Sequence, residues 1–188
     1  MIPGLKRRTM LLRILGRSDR LRWLDEQNLH QNWDERTELL AQWIRKGESV
    51  LEFGSGAGSL KRFVPRDSSL VHTDIFDRGR GYQICDLNAR RLPHLEPADV
   101  IVLSGVLEYV KDVERALAYF NQLANAVVLS YAGIEQNPTN RRENGWVNDL
   151  SIDDLVGLFE QNDFRMTERA NWKRQDLLRF DSERLGVY

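Results

Sequence analysis

Glu52-Phe53-Gly54-Ser55-Gly56-Ala57-Gly58 sets a carboxylate two residues ahead of three glycines at alternate positions, directly after the apolar pair Val50-Leu51. The pattern reads as a strand that runs into a glycine-rich turn and then into a helix. Such a turn suits a small anionic or nucleoside-bearing ligand, because backbone N–H groups can approach it where a Cβ would stand in the way. Gly54 and Gly56 are placed for that approach. A dinucleotide fingerprint would read G-x-G-x-x-G, whereas the spacing here is G-x-G-x-G with an acid before it. That acid suits a cationic amino-acid tail better than a pyrophosphate. The plain counterpart is a tight strand-to-helix turn with no ligand, and the motif by itself leaves that open.

Further acids recur at the ends of apolar runs. Leu70-Val71-His72-Thr73 reads as a second strand with Asp74 at its tip. In a doubly wound sheet ligands sit beyond the carboxyl ends of the strands, where an acid can accept both hydrogen bonds of a ribose diol. The separation from Gly58 is close to the roughly 20 residues expected of a ribose-binding acid. Alone, such an Asp is an ordinary turn residue. Tyr82-Gln83-Ile84-Cys85 is a short strand ending in Asp86-Leu87, and Ala98–Leu103 is a buried strand followed by Ser104-Gly105-Val106-Leu107-Glu108-Tyr109-Val110.

In this order the Glu52 glycine loop, Asp74-Ile75, Asp86-Leu87 and the Ser104–Glu108 turn resemble the motifs of the class I S-adenosylmethionine (SAM) methyltransferases, over about residues 33–180. The resemblance implies an α/β, Rossmann-like, doubly wound fold with a seven-stranded sheet, mostly parallel with an antiparallel closing strand. It implies SAM as cofactor and S-adenosylhomocysteine as product, held by Glu52, Gly54, Ser55, Gly56, Gly58, Asp74, Ile75, Asp86, Leu87 and Ser104. Asp86 would meet the adenine amino group with Leu87 beside the ring, and Ser104 would touch the methionine part. Asp86-Leu87, Val102-Leu103-Ser104, Val110-Lys111-Asp112 and Val127-Val128-Leu129-Ser130 look most like the methionine-biosynthesis W protein group. One departure is Leu123-Ala124-Asn125-Ala126, where the family usually has a glycine pair.

The implied activity is methylation of oxygen or nitrogen on a small molecule, sugar or lipid-linked precursor. The alternative is a non-catalytic or regulatory partner-binding protein that keeps the fold. The trimmed stretch 75–81, the lack of an evident base and the basic N-terminal helix motivate it. A nucleic-acid substrate is disfavoured, since no N/D-P-P-Y-type motif or basic aromatic-rich face is present, although Arg141, Arg142, Trp146 and the basic N-terminal arm keep it open. A base is needed only if the acceptor must lose a proton, and Glu108, Tyr109, Tyr131 and His94 are the candidates. His30, His72 and His94 read first as structural or exposed. No cluster has metal-ligand spacing, so no metal is expected.

The elements that must position these residues follow from periodicity. Asn32 with Glu35 is a capping-box signature, after which Trp33, Thr37, Leu40 and Ile44 share a helical face until Gly47. His30, Trp33 and Arg36 could act as lid residues over the cofactor. Pro65 keeps the helix after the glycine turn short. Asp112 caps a helix with Val113, Leu117, Phe120 and Ala124 on one face, ended by Asn125, and 126–130 is a fifth strand. The polar stretch 131–150 is assigned to substrate capture, since a loop of that length in a compact domain is functional or disordered. Ser151 with Asp154 caps a helix bearing Ile152, Leu155, Val156 and Phe159, ended by Asn162. Phe164–Ala170 and Gln175–Phe180 are closing strands.

A chain of 188 residues with 41% hydrophobic residues and a formal net charge of −1 is read as an arm, 1–31, and one domain, 32–188. The arm is basic: up to Arg22, the bases Lys6, Arg7, Arg8, Arg13, Arg17, Arg20 and Arg22 face only Asp19. Leu5, Leu12 and Leu15 among them suggest an amphipathic helix, packed on the domain or in contact with a membrane surface or protein partner. The one cysteine, Cys85, excludes an internal disulfide and reads as a buried small hydrophobe. No apolar run spans a membrane and no signal peptide is recognised, which gives a cytoplasmic expectation.

Overall fold

The computed structural model of the chain describes residues 3–15, 19–29, 33–77 and 79–186. Seven strands form one sheet: β1 (Ser49–Phe53), β2 (Ser69–Asp74), β3 (Gln83–Ile84), β4 (Ala98–Ser104), β5 (Ala124–Tyr131), β6 (Phe164–Trp172) and β7 (Gln175–Ser182). Their order is β3-β2-β1-β4-β5-β7-β6. The pairs from β3 to β5 are parallel, and β7 runs antiparallel to both β5 and β6. The helices are α1 (Pro3–Ile14), α2 (Asp34–Ala41), α3 (Val113–Leu123), α4 (Arg141–Asn144) and α5 (Ile152–Gln161). The expected Rossmann-like sheet is therefore present. Strand order reverses at β1, flanked by β2 and β4, so a crevice opens beyond their carboxyl ends.

Alternation along the central strands divides the core in two. Leu51, Phe53, Ile101, Leu103, Val127 and Leu129 pack with Leu117, Phe120, Leu155 and Phe159 of α3 and α5. Val50, Val100, Val102, Ala126 and Val128 face the other way, against Leu40 and Ala41 of α2, Ile44, Leu60 and Trp172. Strands buried on both faces need apolar residues at every position, which explains their continuous hydrophobic runs. Each such leucine or phenylalanine contributes about 1.5–3 kcal/mol on burial. Glu52 breaks the run at the strand tip, on the α2 face, where the core gives way to the crevice.

Helix ends match the expectations where a side chain does the capping. Asp112 accepts from Arg115 N at 3.0 Å. Ser151 and Asp154 form a reciprocal capping box. The box expected at α2 is different. Asn32 lies outside the described residues, Trp33 stands at the N-cap without a capping side chain, and Glu35 accepts from Trp172 Nε1 at 2.8 Å. Nor does α3 reach Asn125: it ends at Leu123, and Ala124 is already the first residue of β5. With no connecting loop there is no turn for the missing glycine pair to make.

Of the leucines expected on one face of the arm helix, Leu12 is half-buried, Leu15 lies one residue past the end of α1, and the Leu5 side chain lies outside those described. Leu11, Ile14 and Leu15 are exposed, whereas Thr9 and Asp19 are buried and bonded to each other at 2.7 Å, with Arg8 also on Asp19. Among the described residues no helix is long and apolar enough to cross a membrane.

Candidate functional site

The glycine turn bends because three successive alternate residues adopt left-handed backbone conformations. Gly54 (φ 68°) leaves room for Val106, whose Cγ2 would lie 2.6 Å from a Cβ there, and Gly58 (φ 77°) does the same for the Tyr82 hydroxyl at 2.5 Å. These glycines thus admit neighbouring chain as well as any ligand. Asp74 holds the turn from the next strand: one carboxylate oxygen accepts from Gly56 N at 2.7 Å and the other from Phe76 N at 3.3 Å. Ser55 N donates to Thr73 O at 3.0 Å, tying the same two strand tips together.

A cavity of about 830 Å³ lies beyond these tips, toward the upper end of the roughly 300–1,000 Å³ usual for ligand sites. Glu52, Gly54, Ser55, Gly56, Gly58, Asp74, Ile75, Asp86, Leu87 and Ser104 all line it, so ten residues between positions 52 and 104 come to one space. Glu52 is buried, and its carboxylate lies 2.6 Å from His72 Nδ1. Burial pushes its pKa up, against the opposing pull of His72 and Ser55. His72 is thereby a partner of the acid rather than a free base. Asp86 accepts from Asn88 N at 2.9 Å and is 3.3 Å from Arg20 Nε. The Cys85 thiol is buried and pushed up to about 12, first by desolvation and then by Asp86, which leaves it inert.

Arg36 forms the roof. It donates from Nε to Ser104 Oγ at 3.1 Å, from one terminal nitrogen to Ser104 O at 3.0 Å and from the other to Gln175 Oε1 at 2.9 Å. Its guanidinium lies 5.4 Å from the Trp33 ring and 5.7 Å from that of Trp172. Of the expected lid residues, Trp33 and Arg36 line the cavity, while His30 lies outside the described residues.

The four base candidates separate sharply. The His94 side chain is 91% exposed beside Glu96 and does not line the cavity, which removes it. Tyr131 is fully buried, donates to Asn148 Oδ1, and is pushed above its ordinary pKa by burial and by Glu108. Tyr109 lines the cavity but is pushed up to about 12 by burial and by Glu108, so its phenol stays protonated, and its hydroxyl accepts from Trp146 Nε1. Glu108 remains. It is 1% exposed and lines the cavity, with Oε1 accepting from Ala132 N at 3.0 Å and Oε2 buried without a partner among the described residues. Desolvation raises its pKa, while Arg36, the Ala132 N–H and Arg141 favour the charged form.

The stretch 131–150 is pinned down rather than loose. Arg141, buried, donates to Ala132 O, Asn148 O and Asp149 Oδ1, while Asn148 Nδ2 donates to Leu107 O and Val110 O. Val147 N donates to Glu108 O at 2.8 Å. These bonds bring Asn144 and Trp146 to the cavity wall. Reasoning from sequence missed the contribution of the arm: Arg20, Arg22, Trp23, Asn28 and Leu29 also line the cavity. The signal was a tryptophan set among arginines in Arg20-Leu21-Arg22-Trp23, which a reading of charge alone passes over.

Residues 24–169 match the family model described as a methyltransferase domain. A comparison with curated protein sequences finds no match. Among solved structures, an S-adenosylmethionine dependent methyltransferase from Mesorhizobium loti is similar with a TM-score of 0.66 at 15% identity, over 79% of this chain and 99% of that one. Magnesium protoporphyrin IX methyltransferase from Synechocystis, with bound S-adenosylhomocysteine, gives 0.64 at 13% identity, over 80% and 83%. A complex of the Haloferax volcanii Trm112 methyltransferase activator with a methyltransferase gives 0.64 at 11% identity, over 80% and 89%. At such identities the likeness is one of fold.

Proposed function

The chain belongs to this methyltransferase family, and from that premise we propose that it binds SAM beyond the tips of β1, β2 and β4 and methylates oxygen or nitrogen of a small molecule, sugar or lipid-linked precursor. The observation that carries the reading is the convergence of Glu52, Asp74, Asp86 and the glycine turn on one cavity that also holds the orphaned Glu108 Oε2.

The residues fit the cofactor group by group. Glu52 is a buried carboxylate suited to the ammonium of the amino-acid tail, and the Arg36 guanidinium has donors beyond those its bonds use, suited to the tail's carboxylate. Asp74 retains lone pairs for a ribose hydroxyl while it holds Gly56 N. Asp86 and Leu87 serve the adenine, with Ile75 beside them and Ser55, Gly58 and Ser104 completing the wall. When bound, the cofactor supplies a methyl group on a sulfonium, ready for in-line displacement. The protein orients the acceptor, keeps water out and takes up a proton, the last at Glu108 Oε2. The working unit is the domain 32–188 with the arm laid over its cavity.

Calorimetric titration with SAM and with S-adenosylhomocysteine tests the reading. Both should bind with a stoichiometry of one, and the absence of heat at millimolar ligand discards it. The exposed Leu11, Ile14, Leu15, Leu21 and Leu24 of the arm favour a second reading, a partner-binding protein that keeps the fold. A stoichiometric partner in native lysate, with no methylated product in a broad acceptor screen, would support that one instead.

A further inference from the structure

Once the three strand-tip acids and Arg36 are assigned to the cofactor, the rest of the cavity has a chemistry of its own. Tyr109 is its hub. The Trp23 ring meets the Tyr109 ring edge-on at 5.1 Å, and Trp146 Nε1 donates to the Tyr109 hydroxyl at 3.2 Å. Arg22 and Glu108 both act electrostatically on that hydroxyl, so a cation and a carboxylate flank one ring. Arg22 is fixed by a bond from one terminal nitrogen to Glu143 O at 2.8 Å, yet its Nε is buried with no partner among the described residues. The Oε2 of Glu108 is likewise buried and unpartnered. An unpaired buried donor and an unpaired buried acceptor in one cavity each cost stability unless a ligand completes them.

We propose that this half of the cavity is an acceptor subsite for aromatic hydroxy acids, with Arg22 taking the carboxylate, Trp23, Tyr109 and Trp146 enclosing the ring, and Glu108 facing the hydroxyl. The proposal rests on the methyltransferase reading and narrows its acceptor. The aromatic walls favour a planar ring, which gains by offset or edge-on contact. At its own end of the subsite Arg22 selects an anion over an amine, since a cation beside it would meet like charge. The transfer balances: the acceptor hydroxyl gives its proton to Glu108 Oε2, its oxygen bonds to the methyl carbon, and the carbon–sulfur bond breaks with its electron pair left on sulfur.

The test is tryptophan-fluorescence titration with 2-hydroxybenzoate, phenol and glucuronate, run with and without saturating S-adenosylhomocysteine. Phenol keeps the ring without the charge, and glucuronate keeps the charge without the aromatic ring. The hydroxybenzoate should bind at least tenfold more tightly than either, and Arg22→Met should erase the advantage while Arg22→Lys keeps part of it. Trp23→Leu should weaken both aromatic ligands. Equal binding of the three, or a preference untouched in a folded Arg22→Met, overturns the subsite. Failure of S-adenosylhomocysteine to bind counts against the cofactor assignment alone, because the arm without it reads the subsite separately.

Discussion

At the scale of single residues, Asp74 and Glu108 carry opposite loads. Asp74 clamps the glycine turn through Gly56 N and is also the acid assigned to the ribose, so Asp74→Ala removes an acceptor that serves two groups. Its S-adenosylhomocysteine affinity, read by calorimetry, should fall by about 1.5–3 kcal/mol, the usual worth of a hydrogen bond to a charged group. Unchanged affinity would leave Asp74 a turn residue only. Glu108 is held above the ordinary 4.5 by desolvation, so the folded chain binds its proton more tightly than the unfolded chain. That contribution is complete below pH 4.5 and is lost as pH rises through the raised value. Glu108→Gln has no such proton to lose. Its melting temperature relative to the parent should therefore climb as pH rises from 4.5 through the raised value, while methyl transfer disappears, the usual exchange of stability for function. A pH-independent difference would mean that burial leaves this carboxyl unshifted. The acids were legible in sequence because each closes an apolar run in chain order. Arg22 was not, because its partner Glu143 is 121 residues away and the bond runs to a backbone carbonyl.

At the scale of elements, the glycine turn and the segment after β4 are built around each other. A side chain at Gly54 would meet Val106 at 2.6 Å and would also need a left-handed backbone that costs a non-glycine residue about 1–3 kcal/mol. Gly54→Ala should lower stability in urea denaturation by at least that amount and weaken S-adenosylhomocysteine binding together with it, since the displaced Val106 neighbours Ser104 and Gly105. A loss of binding at full stability would mean instead that the glycine serves the ligand alone. The same scale explains what periodicity could read. The Ser151–Asp154 box and the Asp112 cap are contacts within four residues, visible as residue types at fixed spacing. Glu35 has the right type and spacing for a box, but it is drawn to Trp172 Nε1, 137 residues further on, a tertiary contact that no local pattern contains. The stretch 131–150 looked irregular for a related reason. Its order comes from Arg141 and Asn148 reaching backbone carbonyls, and carbonyls leave no mark in a sequence.

For the whole molecule, residues of the arm and of the strand tips line the same cavity, so a ligand there should couple them. Among the described residues neither core includes a side chain of the arm, whose contacts include Trp23 on Tyr109, Arg22 on Glu143, Arg20 on Asp86, Leu29 beside Gly56 and α1 on α4. A segment with few buried apolar contacts opens more readily than the core it covers. S-adenosylhomocysteine at a hundredfold its Kd adds about 2.7 kcal/mol to the folded state. A chain of this size gains roughly 2–4 °C per kcal/mol, so the melting temperature should rise by about 5–11 °C. Limited trypsin digestion then locates the coupling. Cleavage after Arg20 and Arg22 should slow when S-adenosylhomocysteine is present, because opening the arm must first break its contacts around the ligand. Cleavage after Arg184, exposed beyond β7 at the end of the strands opposite the cavity, should keep its rate. Equal protection at both places would mean that the ligand stabilises the fold globally and the arm is only a passive cover. Protection confined to the arm makes its opening the step that admits and releases whatever the cavity holds.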